Sequence, residues 1–186
     1  MKDWSLYVSK QLSPKRYAHV VGVAHTAATL ALRFGVDEQK AVTAAWLHDI
    51  YRELDYIALS RLAIEVCVEV PQSDVVTWHG PIAAARLACD FEIFDEEIKE
   101  AIACHTLGCT GMREVSQILY VADAIEPSRS YPGVSELRAA AECSLPFAVA
   151  NVADASIMFL VKRHLPVALQ TVAMRNQFWQ RIDEMK

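Results

Sequence analysis

The stretch AAWLHDIYRE, residues Ala44 to Glu53, decides how the rest of the chain is read. Its alanine, tryptophan and leucine positions follow a helical pattern, yet His48 and Asp49 stand side by side where that apolar face is strongest. A carboxylate taken out of water without a partner is costly, so the pair calls for a polar network or a metal ion. Candidate partners are scattered along the chain: His19 in RYAHVVGVAHTA, His79 in WHGPIAAA, His105 in ACHTLG and Asp123 in YVADAIEPSR.

Around this stretch the periodicity is helical almost everywhere, and alternating strand patterns are nearly absent. The spacing predicts helices over 3–11, 14–34, 38–51, 56–67, 80–90, 95–105, 113–126, 134–142, 146–163 and 167–183. Ser13-Pro14 and Asp37 read as helix starts, and Gly35 as a stop after Ala31-Leu32-Arg33-Phe34. The one β-like stretch, VCVEVPQSDV, contains Pro71 and reads as a helix end and a loop. With no repeat, low-complexity tract or linker, one all-α domain is the economical reading.

Composition narrows the function. A chain of 186 residues can bury a core covering about 70% of its unfolded surface, with no need of disulfides. The five cysteines, Cys67, Cys89, Cys104, Cys109 and Cys143, form no CxxC pair and read as reduced, mostly buried thiols of a cytoplasmic protein. Cys104 and Cys109 flank a histidine, but the spacing is a weak metal signal. The N-terminus MKDWSLYVSKQLSPKR lacks the apolar core of a signal peptide, and no apolar run approaches the ~20 residues that span a bilayer. The expectation is a soluble intracellular protein with no membrane partner. A net charge of -5 argues against coating a nucleic-acid polymer, but not against a small anion held by a few arginines.

Any one of these histidines alone would read as an ordinary core or surface residue. Together, four histidines and two aspartates form a donor set suited to iron, manganese, cobalt or zinc, and larger than one ion usually takes. Two ions sharing a bridging carboxylate would use all six, with Asp49 as the bridge. His25, six positions after His19, falls on another helical face, and His164 follows Lys162-Arg163 at a helix C-terminus where positive charge suits the dipole. Both are left out of the set.

The order His, His-Asp, His, His, Asp resembles the HD-domain metal-dependent phosphohydrolase superfamily. RYAHVVGVAHTA, AAWLHDIYR, HGPIAA, CHTLG and VADAIEPSRSYPGVSELR resemble more narrowly its bacterial YqeK family of symmetrically cleaving dinucleoside tetraphosphatases, from about Lys15 to Asn176. The resemblance implies a single HD domain over 1–186, with a helical core at about 15–130 and C-terminal helices 134–183 packed on it. It also implies a metal centre, usually iron, and hydrolysis of diadenosine tetraphosphate to two ADP; another nucleotide substrate is the alternative. Its ligands would be His19, His48, Asp49, His79, His105 and Asp123. Arg52 stands where that family often has lysine, Cys104 where tyrosine often precedes the histidine, and Ser128 where asparagine is common.

In the chemistry this implies, metal-activated water attacks phosphorus and cations hold the developing charge. Arg52 and Arg129 are the first candidates for that charge, with Arg16 and Arg175 behind them; Asp49, Arg52 and Arg129 would be the catalytic set. The plain alternatives are surface pairs, Arg52 with Glu53 or Asp55 and Arg129 with Glu126. Thr106 could donate a hydroxyl to phosphate, and Gly108 and Gly111 could free backbone amides for an anion, although a connecting turn fits them equally. Trp78 reads as core rather than as a base-stacking ring. The C-terminal stretches VADASIMFLVKR and VALQTVAMRNQFW suit either core or the interface of a homodimer.

Overall fold

The computed structural model describes residues 3–70 and 74–184. Among the described residues ten α-helices follow one another: α1 Trp4–Ser9, α2 Pro14–Phe34, α3 Glu38–Leu47, α4 Tyr56–Glu65, α5 His79–Phe91, α6 Glu96–Cys104, α7 Glu114–Ile125, α8 Val134–Cys143, α9 Leu145–Lys162 and α10 Leu169–Glu184. A short 3-10 turn, Val75–Thr77, leads into α5, and the described residues include no strand. The VCVEVPQSDV stretch is a helix end and loop where it is described; Pro71 to Ser73 lie outside the described residues.

The helix starts are set locally. Asp3, Ser13, Asp37, Asp55, Asp95 and Ser144 each turn a side-chain oxygen onto a backbone N–H of the first turn, worth about 1 kcal/mol apiece. α2 adds Pro14 at its first position and stops at Gly35, whose φ of 68° is the left-handed geometry that suits glycine.

α7 is the axis of the fold. Its residues Val115 to Ala122 are all buried, and α2, α3, α6, α8 and α9 pack around it. The main core joins Val20, Leu47, Leu87, Ile102, Ile118 and Val149 across these helices. A smaller cluster of Leu59, Ala63, Trp78 and Ile82 seats α4 against α5, so Trp78 is core.

α9 corrects one expectation: its 18 residues, of mean hydropathy 1.5, are long and apolar enough to cross a membrane by length and composition. Its N-terminal half is nevertheless buried in the bundle, through Leu145, Ala148, Val149 and Val152. The cysteines depart from expectation as well. Cys67, Cys89 and Cys143 are exposed, and Cys104 and Cys109 are only partly buried.

Candidate metal centre

The helix predicted over 38–51 stops at Leu47, and His48 and Asp49 sit in the turn that follows. The backbone tightens there to three-residue hydrogen bonds, Ile50 N–H to Leu47 O at 3.2 Å and Arg52 N–H to Asp49 O at 2.9 Å. The turn is fixed from outside by Glu53, whose carboxylate accepts the Ser13 backbone N–H at 2.7 Å and the Ser13 hydroxyl at 2.6 Å. The start of α2 is thereby held against the HD turn.

Asp49, 3% exposed, lies at the centre. Its Oδ1 is 3.1 Å from His79 Nε2 and 3.8 Å from His105 Nε2; its Oδ2 is 3.5 Å from His48 Nε2 and 3.8 Å from His19 Nε2. One carboxylate therefore faces two histidine pairs, and the donor atoms of each trio lie within 4.8 Å of one another. Asp123 joins the His19 side, its Oδ1 at 3.0 Å from His19 Nε2.

The tautomers follow from the hydrogen bonds on the far side of each ring. His48 Nδ1 is 2.6 Å from Ala45 O, His79 Nδ1 2.9 Å from Val76 O and His105 Nδ1 2.7 Å from Ile102 O. A carbonyl only accepts, so each Nδ1 carries the proton and each Nε2 presents a lone pair inward. His79 Nε2 and His105 Nε2 then face each other at 3.0 Å, an arrangement that a cation between or beside them relieves. Among the described residues, Nε2 of His48 is buried without a hydrogen-bond partner, and Nε2 of His19 is buried with Asp123 Oδ1 at 3.0 Å but no well-aligned hydrogen bond. Orphaned inward lone pairs around a buried carboxylate fit a divalent transition metal.

The electrostatics of the metal-free side chains support the lone-pair reading at His105, while the Asp49 carboxylate draws a proton toward His48. Burial, reinforced by His79 and His48, pulls His105 down to about 3, which keeps it neutral at ordinary pH. Burial works against ionised Asp49, but His48 and His79 outweigh it and hold the carboxyl well below the usual range. His48 is raised because the Asp49 carboxylate outweighs its desolvation. For Asp123, burial is likewise outweighed, by His19, His48 and Arg129, and its carboxyl is lowered.

Two residues of this centre were not singled out by sequence. Glu126, 1% exposed, accepts from His19 Nδ1 at 3.0 Å and from the Ser128 N–H at 2.7 Å, with the Ser128 hydroxyl capping it as well. A carboxylate behind a ligating histidine sets its tautomer and orientation. Gly22 on α2 makes room for it: a Cβ there would lie 2.5 Å from Glu126 Oε2. The available signal was the glutamate three residues after Asp123, just past the end of α7.

The arginines divide. Arg16 Nη1 donates to Asp49 Oδ2 at 2.9 Å, closer to the centre than expected. Arg129 Nη2 donates to Asp123 Oδ1 at 2.6 Å, while its Nε lies 3.8 Å from Glu126. The Asp123 side chain is 23% exposed, against 0% for His48 and 3% for His79, so the centre opens on the side where Arg16 and Arg129 stand. Arg52 is half-buried three residues from Asp49; Glu53 is occupied by Ser13, and among the described residues the Arg52 guanidinium has no ion pair. Thr106 Oγ1 is 3.0 Å from His105 Nε2.

Two expectations are corrected. Gly108 offers no free amide, because its N–H donates to Cys104 O at 2.7 Å, and Gly111 N–H is taken by Gln177 Oε1 at 2.7 Å. The loop is a connecting turn. Arg175 is turned to Asp154, at 2.6 Å, which also accepts from Trp179 Nε1; among the described residues it meets no ligand of the centre. His25 and His164 are exposed and stand apart, as expected.

A helical bundle whose six candidate ligands come from α2, the turn after α3, the start of α5, the residue after α6 and α7 defines a class. The family model of the HD domain matches residues 16–128, and the chain belongs to the HD-domain family. It is 37% identical over 91% of its length to the symmetrical bis(5'-nucleosyl)-tetraphosphatase of Bacillus subtilis, covering 92% of that protein. To the protein of the same name from Halalkalibacterium halodurans it is 34% identical, with the same coverage of both chains. The crystal structure of a predicted HD superfamily hydrolase involved in NAD metabolism, from Clostridium acetobutylicum, superposes with a TM-score of 0.89 at 30% identity, over 96% of each chain.

Proposed function

We propose that the chain is a metal-dependent hydrolase that cuts diadenosine tetraphosphate at its central phosphoanhydride and releases two ADP. One observation carries the chemistry: Asp49 turns one oxygen to His79 and His105 and the other to His19 and His48. The substrate rests on similarity to named symmetrical tetraphosphatases over 91% of the chain. In this reading His19, His48, Asp49, His79, His105 and Asp123 would hold the metal, iron by preference with manganese, cobalt or zinc as substitutes, and two ions would be accommodated if Asp49 served both histidine pairs.

The bound metal supplies Lewis acidity and brings the pKa of bound water from 15.7 toward roughly 7. The side chains do the rest. Arg16 and Arg129, at the open side, and Arg52 hold the phosphate chain and set which phosphorus meets the centre, and planar guanidinium groups suit bidentate phosphate contacts. Thr106 adds a hydroxyl donor. Glu126 holds His19 with its lone pair inward. The protein works in the cytoplasm on a small nucleotide, with no nucleic-acid polymer or membrane as partner. The exposed Met158, Phe159 and Val161 of α9 form the face through which it dimerises.

The test is to incubate metal-loaded protein with diadenosine tetraphosphate and resolve the nucleotides by chromatography, with His48→Ala and Asp49→Ala as blanks. ADP alone is expected. ATP and AMP in equal amounts would overturn the symmetric cut, and turnover only of a mononucleotide or cyclic nucleotide would overturn the substrate.

A further inference from the structure

Cys104 and Cys109 are placed on either side of His105 by one turn. α6 ends at Cys104, and the chain continues in helical geometry through His105 until Gly108, whose φ of 67° reverses it. The Gly108 N–H donates to Cys104 O at 2.7 Å, closing a five-residue turn. In such left-handed helix ends, the residue after the glycine comes back onto the side chain of the residue whose carbonyl is bonded. Those two residues here are Cys109 and Cys104, and each thiol acts on the other: Cys109 pushes the Cys104 thiol up and Cys104 holds the Cys109 thiol down. The turn is held in this form by α10: Thr171 Oγ1 donates to Leu107 O at 2.7 Å, Gln170 Nε2 donates to Gly108 O, and Met174 lies under Gly108. Both cysteines are partly exposed, so a small oxidant can reach them.

We propose that Cys104 and Cys109 are a peroxide-sensitive dithiol that closes reversibly to a disulfide around His105. One thiol attacks a peroxide oxygen, the O–O bond breaks, and a sulfenic acid and one water form. The second sulfur then displaces that oxygen as a second water, so two thiols give up two electrons and two protons and hydrogen peroxide takes up both. The second step is intramolecular across a turn already formed, so it outruns pairing between molecules. The disulfide ring would span the turn that the Gly108 N–H closes onto Cys104 O.

Both cysteines fall in one tryptic peptide, EAIACHTLGCTGMR, residues Glu100 to Arg113. The full chain is treated with graded hydrogen peroxide, quenched, alkylated, digested and weighed by mass spectrometry. The expected result is that this peptide becomes two hydrogens lighter and refuses alkylation, and that dithiothreitol restores it. The same peptide from a Cys67→Ser, Cys89→Ser, Cys143→Ser triple variant should behave alike, whereas Cys104→Ser and Cys109→Ser should each leave an alkylatable thiol. Full alkylation of both cysteines while the exposed Cys67, Cys89 and Cys143 oxidise would overturn the proposal, and so would irreversible oxygen addition at Cys104 or Cys109 without loss of hydrogen.

Discussion

Replacing Gly22 by alanine sets two effects of opposite sign against each other. In the middle of α2 a glycine costs about 1 kcal/mol relative to alanine, so helix propensity alone favours the change. The new Cβ, however, would lie 2.5 Å from Oε2 of Glu126 and 3.3 Å from its Cδ. That carboxylate cannot easily swing aside, being buried and tied to His19 Nδ1 at 3.0 Å and to the Ser128 N–H at 2.7 Å. Overpacking of this kind costs about 1–3 kcal/mol, which cancels or exceeds the helix gain. The expected net result for the metal-free chain runs from no change to a loss of about 2 kcal/mol, read from urea unfolding. Metal affinity gives the sharper reading. If Glu126 moves, His19 loses the group that fixes its tautomer, and losing such a partner weakens metal binding roughly 10- to 100-fold. Cobalt titration followed by visible absorption, on wild type, Gly22→Ala and Glu126→Gln, separates the cases. A Gly22→Ala protein stabilised by about 1 kcal/mol with undiminished cobalt affinity would refute the reasoning.

Asp49→Asn keeps the shape of the central side chain and removes its charge; metal content measured by elemental analysis should fall to background, and full occupancy would contradict a shared carboxylate. Arg52→Ala should raise KM for the dinucleotide with metal content unchanged, since its guanidinium pairs with none of the described residues; wild-type kinetics would remove Arg52 from the substrate site. Chelation should lower Tm by about 5–10 °C for a metal present at roughly 100 times its Kd, since ligands from separate helices pin the bundle; coincident melting curves after verified metal removal would count against this. Glu100 is disfavoured as a carboxylate by burial, but Ser116 and Arg113 outweigh that and lower its pKa from 4.5. A depressed folded-state pKa gives stability that is present above the unfolded value and lost as pH falls through the folded one. Acid should therefore destabilise the metal-free chain below about pH 4.5, and Glu100→Gln should flatten that slope in pH-dependent denaturation; an identical slope would exclude the contribution.

Where the sequence was legible, the signals were short-range or chemical. α2 runs from Pro14 to Phe34 as predicted because Ser13, Pro14 and Gly35 fix both ends within one turn. That the six candidate ligands come together was legible because few other histidines compete and each sits beside apolar residues. The end of α3 was not, because the pattern through Asp49 stays apolar and helical while the backbone changes from four-residue to three-residue bonds. Glu126 enters the sequence reading only as an alternative surface partner for Arg129, since nothing local reveals that Gly22, on a helix more than a hundred positions earlier, leaves it space. Of the two readings left open for Gly108 and Gly111, phosphate cradle or connecting turn, the structure has the turn. What consumes their amides is a backbone turn and Gln177, and the second is visible only once α10 is docked.

The ring hydrogen bonds of the four inward histidines bear on the order in which the centre matures. His48, His79 and His105 each bond to a carbonyl three residues back, so each four-residue segment can orient its own ring before the rest of the chain has settled. His19 differs, because the carboxylate that orients it is 107 positions away, just past the end of α7. Three of the donors are thus prefabricated and one awaits the joining of α2 to α7, which makes the His79 and His105 side competent early and the His19 side late. A metal pulse at successive times during refolding reads that sequence directly: ions added early should be captured by the local pair, and the second equivalent only when the two distant helices have met.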